Sequence, residues 1–210
     1  MQDLSRHRFF TLILGAAVCF ILGTLVRADA AENQLESAIF AGGCFWCMEP
    51  PFDELPGVQS TTSGYIGGDR NNPSYEEVSG GKTGHAEAVQ IRYDPDIIDY
   101  ERLLRVFWRN IDPLAVDEQF CDQGEQYRTA IFYTNDHQRM AAEASKSELA
   151  TSDRFDRPIA TEIATAGTFY PAEEYHQDYY KKNPVRYKFY RLTCGRDSRL
   201  EELWGEQAGG

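Results

Sequence analysis

Two cysteines, Cys44 and Cys47, stand three residues apart in the segment FAGGCFWCMEPPF. They follow a short apolar stretch and the glycines Gly42 and Gly43, and they open a run of apolar residues at helical spacing. A thiol at the start of a helix faces free N–H groups and the positive end of the helix dipole, which lower its pKa and favour the thiolate. The segment therefore predicts a nucleophile at Cys44, with a buried, unreactive cysteine as the plainer alternative.

A zinc site is a poorer interpretation of the same cysteines. Structural zinc takes four ligands, usually from two cysteine pairs or from one pair and closely spaced histidines. The sequence has one such pair, and His85, His137 and His176 do not stand at ligand spacing. We therefore expect no metal ion.

Four other polar residues carry weaker signals. Glu87 stands between two alanines in a predicted strand, where partial burial would raise its carboxyl pKa toward that of a general acid. From the pattern alone, an outward-facing glutamate is the slightly better interpretation. Tyr75, in NPSYEEV, and Asp122 and Tyr127, in CDQGEQYR, stand in loop-like segments, and each by itself suggests ordinary surface.

The elements that must position these residues follow a mixed order. Strands are predicted at 37–41, 58–66, 84–95, 130–133 and 159–164, and a loop at 112–126. Helices are predicted at 44–55, 100–108, 136–150 and 172–180, with Asp136 as an N-cap, and a short one in DSRLEELWG near the C-terminus. This order favours an α+β fold with helices packed on one side of a largely antiparallel sheet.

Composition and charge limit the function classes. The chain has 210 residues, of which 42% are hydrophobic and 26% charged, as in an ordinary globular domain. Its net charge of -12 gives an acidic surface, which disfavours nucleic acid and anionic membranes as partners.

The N-terminal segment has the features of a secretory signal peptide. Residues 6–8 are basic, residues 9–26 are apolar, and residues 28–30 form an Ala-Asp-Ala cleavage pattern. The sequence thus predicts a signal peptide at 1–30 and a single domain at 31–210, exported to the periplasm or beyond the cell. An uncleaved membrane anchor is the alternative, because the apolar run is just long enough to span a bilayer.

Export leaves four cysteines in the mature chain: Cys44, Cys47, Cys121 and Cys194. In an oxidising compartment an even number often forms structural disulfides. A chain of this size and apolar content does not need them to fold, so redox chemistry fits the four at least as well.

Several segments together resemble one family, the A-type peptide methionine sulfoxide reductases. The segments are GGCFWCMEP, GYIGG, NPSYEEVSGGKTGHAEAVQIRYDP, FWRNIDP, DQGEQYRTAIF and FYPAEEYHQDYYKKNP, in family order, and they cover most of residues 37–184. The resemblance implies a ferredoxin-like, two-layer α+β sandwich with an irregular C-terminal tail. It also implies a single catalytic domain and repair of oxidised proteins under oxidative stress.

The resemblance implies the reaction as well. Cys44 would attack the sulfur of methionine-S-sulfoxide, free or in proteins, while Glu87 protonates its oxygen. The products would be methionine and a sulfenic acid on Cys44, which a second thiol converts to a disulfide. A thioredoxin-like dithiol reductant would then regenerate the enzyme, and no metal or organic cofactor is required. We expect a monomer.

The same resemblance assigns the pocket. Tyr75 and Tyr127 would hydrogen-bond the sulfoxide oxygen, and Asp122 would help to hold the polar side of the site. Phe45 and Trp46, which alone favour core packing, would cradle the S-methyl group.

The recycling cysteine is where the sequence departs from the family. Many members place it in a glycine-rich tail soon after the KNP segment, but Cys194 lies ten residues after Pro184 without such surroundings. Cys47 could close a disulfide with Cys44 with little movement, Cys194 could fold over the site, and Cys121 directly precedes Asp122. All three stay open as candidates, and a relay between Cys47 and Cys194 is a further alternative.

Two other functions fit parts of the sequence. A general thiol–disulfide oxidoreductase like thioredoxin would use Cys44 and Cys47 without a proton donor, so that Glu87 would be dispensable. A secreted binding domain would hold the four mature cysteines in two structural disulfides.

Overall fold

A computed structural model describes residues 35–209. Its strands are β1 (Glu36–Gly42), β2 (Val58–Ile66), β3 (Ala86–Tyr93), β4 (Glu118–Gln119), β5 (Asp122–Gln123), β6 (Thr129–Tyr133), β7 (Glu162–Thr165) and β8 (Tyr170–Pro171). Its α-helices are α1 (Phe45–Asp53), α2 (Tyr75–Ser79), α3 (Tyr100–Arg109), α4 (Asp136–Thr151), α5 (Tyr179–Lys182), α6 (Pro184–Thr193) and α7 (Arg196–Trp204). The predicted signal peptide or anchor at 1–30 lies outside these residues. Within 35–209, no helix combines the length and the apolar character needed to cross a membrane.

Six strands form one sheet in the order β7-β6-β1-β3-β2-β8, and β6 and β7 are its parallel pair. Helix α1 connects β1 to β2, and α3 connects β3 toward β6. The four central strands and these two helices therefore follow the βαββαβ order of a ferredoxin-like sandwich. This arrangement confirms the predicted α+β class.

Alternation along the central strands decides which way the candidate site residues point. Phe40 and Val89 lie in the large core that includes the apolar residues of α1, whereas Ile39 and Ala88 lie in a smaller cluster on the other face of the sheet. Glu87 precedes Val89 by two residues and so shares its face. Its carboxyl group is therefore directed toward the layer that contains α1.

The turn from β1 into α1 requires glycine at position 43. Gly43 has a φ of +79°, and a Cβ there would lie 2.5 Å from the Cβ of Gln119. Gln119 cannot move away easily, because its buried amide accepts from Asp112 N at 2.9 Å and donates to Asp112 O at 2.7 Å. The strand therefore enters the helix abruptly, with Cys44 at the junction.

Two predictions about helices are wrong. Most of the predicted helix at 172–180 is a turn, because the Gln177 amide bonds the backbone of Ser63 in β2 and of Ala172 and so holds the segment against the sheet. Asn135, not Asp136, caps α4, since its side chain accepts the N–H of Gln138.

The predicted loop at 112–126 contains the small β4–β5 hairpin, which carries Cys121 and Asp122. The C-terminal segment is not irregular either, since it forms α6 and α7 after the KNP motif. Tertiary packing orders α7: Trp204 is buried, and its indole N–H donates to Ile111 O at 3.0 Å. The short helix predicted in DSRLEELWG is thus confirmed.

Phe40 shows how tightly the core under α1 is packed. Its ring centroid lies 5.6 Å from that of Phe52, 5.9 Å from that of Tyr100 and 4.9 Å from that of Phe107. We expect Phe40→Ala to lower the free energy of unfolding by about 3–5 kcal/mol, measured by denaturant titration. Phe189→Ala, on an exposed face of α6, should change it by less than about 0.5 kcal/mol. Equal losses in the two variants would contradict this description of the core.

Candidate active site

Cys44 occupies the N-cap position of α1, directly after the Gly43 turn, and its side chain makes no capping hydrogen bond. The first helical N–H, that of Phe45, donates instead to the Glu87 carboxyl group at 3.2 Å. The Cys47 N–H closes the first turn on Cys44 O at 3.0 Å. One hydrogen bond thus joins the start of α1 to β3 and places a carboxyl group beside the predicted nucleophile.

Glu87 is only 2% exposed. Its burial outweighs the hydrogen bond from Phe45 and raises the pKa of the carboxyl group to about 8. Most of this group is therefore protonated at neutral pH and can donate a proton. The pattern slightly favoured an outward-facing glutamate here, whereas the structure places it in the interior.

Cys44 and Cys47 are free, buried thiols that are hydrogen-bonded to each other. Burial, followed by the interaction with Cys47, raises the pKa of Cys44, so the predicted lowering by the helix start is overridden by desolvation. The hydrogen bond from Cys44 lowers the pKa of Cys47 to about 6, and the guanidinium groups of Arg196 and Arg191 act in the same direction. The two sulfurs therefore share one proton near neutral pH, with the negative charge favoured on Cys47.

The two predicted phenols lie within the electrostatic reach of Glu87 and Cys44. Burial raises the pKa of Tyr75 to about 12, and the charge of Glu87 adds to this effect. The pKa of Tyr127 rises for the same two reasons. Both hydroxyl groups therefore stay protonated and can donate to a substrate oxygen.

The predicted pocket residue Asp122 is held by a residue that no sequence pattern indicated. Its carboxylate accepts a hydrogen bond from the Tyr190 hydroxyl at 2.5 Å. Burial raises the pKa of Asp122, and this hydrogen bond opposes the rise. The Tyr190 hydroxyl also interacts with the Cys44 sulfur. Tyr190 lies on α6, within the segment that was expected to be irregular, so no periodic pattern pointed to it.

An aromatic wall adjoins the cysteines. Trp46 stacks on Tyr179 with ring centroids 3.7 Å apart, and its indole N–H donates to His176 Nδ1 at 3.0 Å. The His176 ring lies 4.9 Å from that of Phe45 and 4.5 Å from that of Tyr75. Burial lowers the pKa of His176, so the imidazole is neutral and adds to an apolar surface suited to a methyl group. His176 was missed as a site residue; its one signal was the aromatic segment EEYHQDYY around it.

The other two candidate recycling cysteines are bonded to each other. Cys121, beside β5, and Cys194, at the end of α6, form a disulfide with a Cα–Cα distance of 5.0 Å. This bond ties the β4–β5 hairpin to the C-terminal helices.

The same residues do not form a thiolate metal site. Cys121, Asp122 and Cys194 hold their potential metal-ligand atoms close together, but the bonded sulfurs are not thiolates. Among the described cysteines there are thus one disulfide and two free thiols, which argues against a binding domain with two structural disulfides.

Comparisons with known proteins identify the family. The family model for peptide methionine sulfoxide reductase matches residues 36–208. Peptide methionine sulfoxide reductase MsrA from Bacillus licheniformis is 58% identical over 177 residues, which cover 84% of this chain and 97% of that protein. The Bacillus subtilis protein of the same name is 55% identical over 174 residues, 83% of this chain and 98% of that protein.

Solved structures agree. Mxr1 from Saccharomyces cerevisiae in its reduced form superimposes with a TM-score of 0.68 at 32% identity, over 72% of this chain and 87% of that one. Methionine sulfoxide reductase A of Corynebacterium diphtheriae gives 0.64 at 34% identity, over 72% of this chain and 76% of that one. The family match includes every strand and helix that contributes to the site, from β1 to α7. The chain therefore belongs to the peptide methionine sulfoxide reductase family and is an enzyme that reduces methionine sulfoxide.

Proposed function

We propose that this enzyme reduces the S epimer of methionine sulfoxide, free or in oxidised proteins, with Cys44 as nucleophile and Glu87 as proton donor. One observation carries the proposal: a buried carboxyl group with a pKa of about 8 is hydrogen-bonded to the residue next to Cys44. Sulfoxide oxygen is a poor leaving group, so attack on the sulfur needs simultaneous protonation of the oxygen. A cysteine pair with a shared proton and a neutral acid supply both requirements.

The steps balance without a cofactor. The Cys44 sulfur bonds to the substrate sulfur while Glu87 transfers its proton to the oxygen. Oxygen then passes to Cys44, so that methionine leaves and Cys44 carries a sulfenic acid. A second thiol attacks this sulfur, a disulfide forms, and the oxygen leaves as water. Sulfoxide gains two electrons and the two thiols lose two.

The pocket residues take the roles that the family resemblance implies. Tyr75 and Tyr127, whose phenols stay protonated, donate hydrogen bonds to the sulfoxide oxygen. The apolar surface of Phe45 and Trp46 receives the S-methyl group. Asp122, held by Tyr190, helps to hold the polar side of the site.

Cys47 is the recycling cysteine in this proposal. It is already hydrogen-bonded to Cys44, and its lowered pKa favours the thiolate that attack on the sulfenic sulfur needs. Cys121 and Cys194 are joined to each other, so either would have to leave that bond before it could attack Cys44. Attack by Cys47 needs no change outside the first turn of α1.

A thioredoxin-like dithiol protein is the proposed reductant. Thiol–disulfide exchange through a mixed disulfide would return Cys44 and Cys47 to thiols. Mxr1, a structural neighbour, has been solved in complex with Trx2, which supports a reductant of this kind.

Export rests on the N-terminal sequence alone. We propose cleavage near Ala30, with the mature enzyme in the periplasm or outside the cell. Expression of the full chain in a bacterial host, followed by fractionation and intact-mass measurement, should give a chain that begins near Ala31 in the exported fraction. A full-length membrane-bound product would favour the anchor, and a full-length soluble product inside the cell would contradict both.

Glu87→Gln tests the proton donor. Glutamine retains an acceptor for the Phe45 N–H but has no carboxyl proton, so methionine formation in a single turnover should slow by about 10²–10⁴-fold. In the unmodified enzyme the same rate should fall as pH rises through about 8, where Glu87 loses its proton, and the variant should lack this fall.

The surface substitution Glu201→Gln is the matched control and should leave the rate unchanged. With the separate sulfoxide epimers of an N-blocked methionine, the S epimer alone should react. A full rate for Glu87→Gln would remove the proton-donor role, and equal reduction of both epimers would contradict the stereochemical assignment.

Disulfide mapping tests the recycling step. After one turnover without reductant, we expect a Cys44–Cys47 bond beside the Cys121–Cys194 bond. Cys47→Ser should still release one methionine per enzyme but should accumulate a sulfenic acid that a selective reagent traps. Normal multiple turnover of Cys47→Ser, lost only when Cys121 and Cys194 are replaced, would assign recycling to one of those two.

A further inference from the structure

Arg196 is the most unusual charged residue near the site. It is 1% exposed, and its guanidinium donates to Gly42 O at 3.1 Å and Asn110 O at 2.7 Å and contacts Met48 Sδ at 3.0 Å. All three partners are neutral. Among residues 35–209, no carboxylate forms an ion pair with it, and its Nε is buried without a hydrogen-bond partner. A buried cation is costly unless an anion accompanies it, so an anion of the site should be its partner.

The position of the guanidinium points to the cysteine pair. One nitrogen lies 3.8 Å from where a Cβ on Gly43 would stand, and the group contacts Met48, the residue after Cys47. The Phe120 ring covers it, with its centroid 4.4 Å from the central guanidinium carbon. The positive charge therefore lies beneath the first turn of α1, shielded from water.

We propose that Arg196 is a positioning residue that provides the fixed counter-charge for the thiolate shared by Cys44 and Cys47. The proposal rests on the proposed function in taking Cys47 as the partner of Cys44. With Cys47 held as the thiolate, it accepts the proton of Cys44 when Cys44 attacks the substrate sulfur, and Glu87 gives its own proton to the oxygen. When Cys47 later attacks the sulfenic sulfur, its proton leaves with the hydroxyl group as water.

Several charged or titratable groups surround Cys47, and they come from six elements. They are Cys44 at the N-cap of α1, Glu87 from β3, Asp122 from β5, Tyr179 and Tyr180 from α5, Tyr187, Tyr190 and Arg191 from α6, and Arg196 from α7. Arg191 is partly exposed and already paired with Asp197 at 2.6 Å, so its charge is largely neutralised. Asp122 is the rival anion for Arg196: the guanidinium lowers its pKa, but among the described residues no ion pair joins the two groups. Arg196 is thus the cation whose charge remains available to the thiolate.

The Cys121–Cys194 disulfide helps to hold this arrangement. Phe120, which covers the guanidinium, directly precedes Cys121, and Arg196 follows Cys194 by two residues. The bond therefore fixes Arg196 and its cover relative to each other, which gives it a structural role beside the catalytic pair.

Titration of the thiolate by its ultraviolet absorbance tests the proposal without turnover. In protein with the Cys121–Cys194 bond intact, Arg196→Gln should raise the midpoint of the first thiolate transition by about one pH unit or more, a tenfold change in the equilibrium constant. Arg196→Lys keeps the charge and should stay closer to the unmodified midpoint. The matched control is Arg199→Gln on the same helix, whose charge is paired with Asp112 and Glu202, and it should leave the midpoint unchanged.

The acidic side of the single-turnover pH profile should move with the midpoint, because the same thiolate must accept the Cys44 proton during the attack. An unchanged midpoint in folded Arg196→Gln, or equal shifts in the Gln and Lys variants, would overturn the proposal. Arg196 would then only stabilise the turn at Gly42. If Arg196→Gln does not fold, Phe120→Ala provides the test: it admits water to the guanidinium and should raise the midpoint by a smaller amount, and no shift would count against the proposal.

The two proposals can fail separately. If mapping finds the Cys44–Cys47 disulfide but replacement of Arg196 leaves the midpoint unchanged, only the counter-charge role of Arg196 is wrong. If the midpoint responds to Arg196 while mapping finds another disulfide, the recycling assignment alone is wrong.

Discussion

The hydrogen bond from the Phe45 N–H to Glu87 holds the centre of the sheet against the first turn of α1. It forms because the Gly43 turn takes the chain from β1 straight into the helix and because alternation along β3 directs Glu87 to the same layer. Cys44 is thereby fixed beside a carboxyl group without any loop to position it. Catalytic groups placed on a strand end and a helix start hold their geometry better than groups on mobile loops.

Burial gives these groups their chemistry. Removing a carboxyl group from water raises its pKa, so Glu87 keeps its proton at a pH where a surface glutamate is ionised. The same burial would keep an isolated thiol protonated, as the raised pKa of Cys44 shows. Cys47 offsets that effect by sharing the proton, so the site combines a neutral acid with an available thiolate. Burial of Glu87 and the pairing of Cys44 with Cys47 therefore act together. Neither alone would give the site both a neutral acid and a thiolate.

The C-terminal helices complete the site that the βαββαβ core begins. α6 brings Tyr190 to Asp122, and α7 brings Arg196 beneath the Gly42–Gly43 turn. Their order comes from long-range packing, with Trp204 inserted against Ile111 and the Cys121–Cys194 disulfide at the junction of the two helices. The segment that resembled the family least is therefore the one that closes the site on this side.

Patterns in the sequence predict the position of Cys44 at a helix start, the α+β class, most element positions and, through the family resemblance, the reaction. Those features depend on patterns within a few residues: two glycines before a cysteine, alternation in strands and periodicity in helices. Tertiary contacts set the burial of Glu87, the direction of the Cys44 pKa shift, the cysteine pairing and the place of Arg196. Desolvation and buried contacts join residues far apart in the chain, so a short sequence segment does not reveal them. Arg196 and Gly42 are separated by 154 positions, and no local sequence pattern indicates their contact.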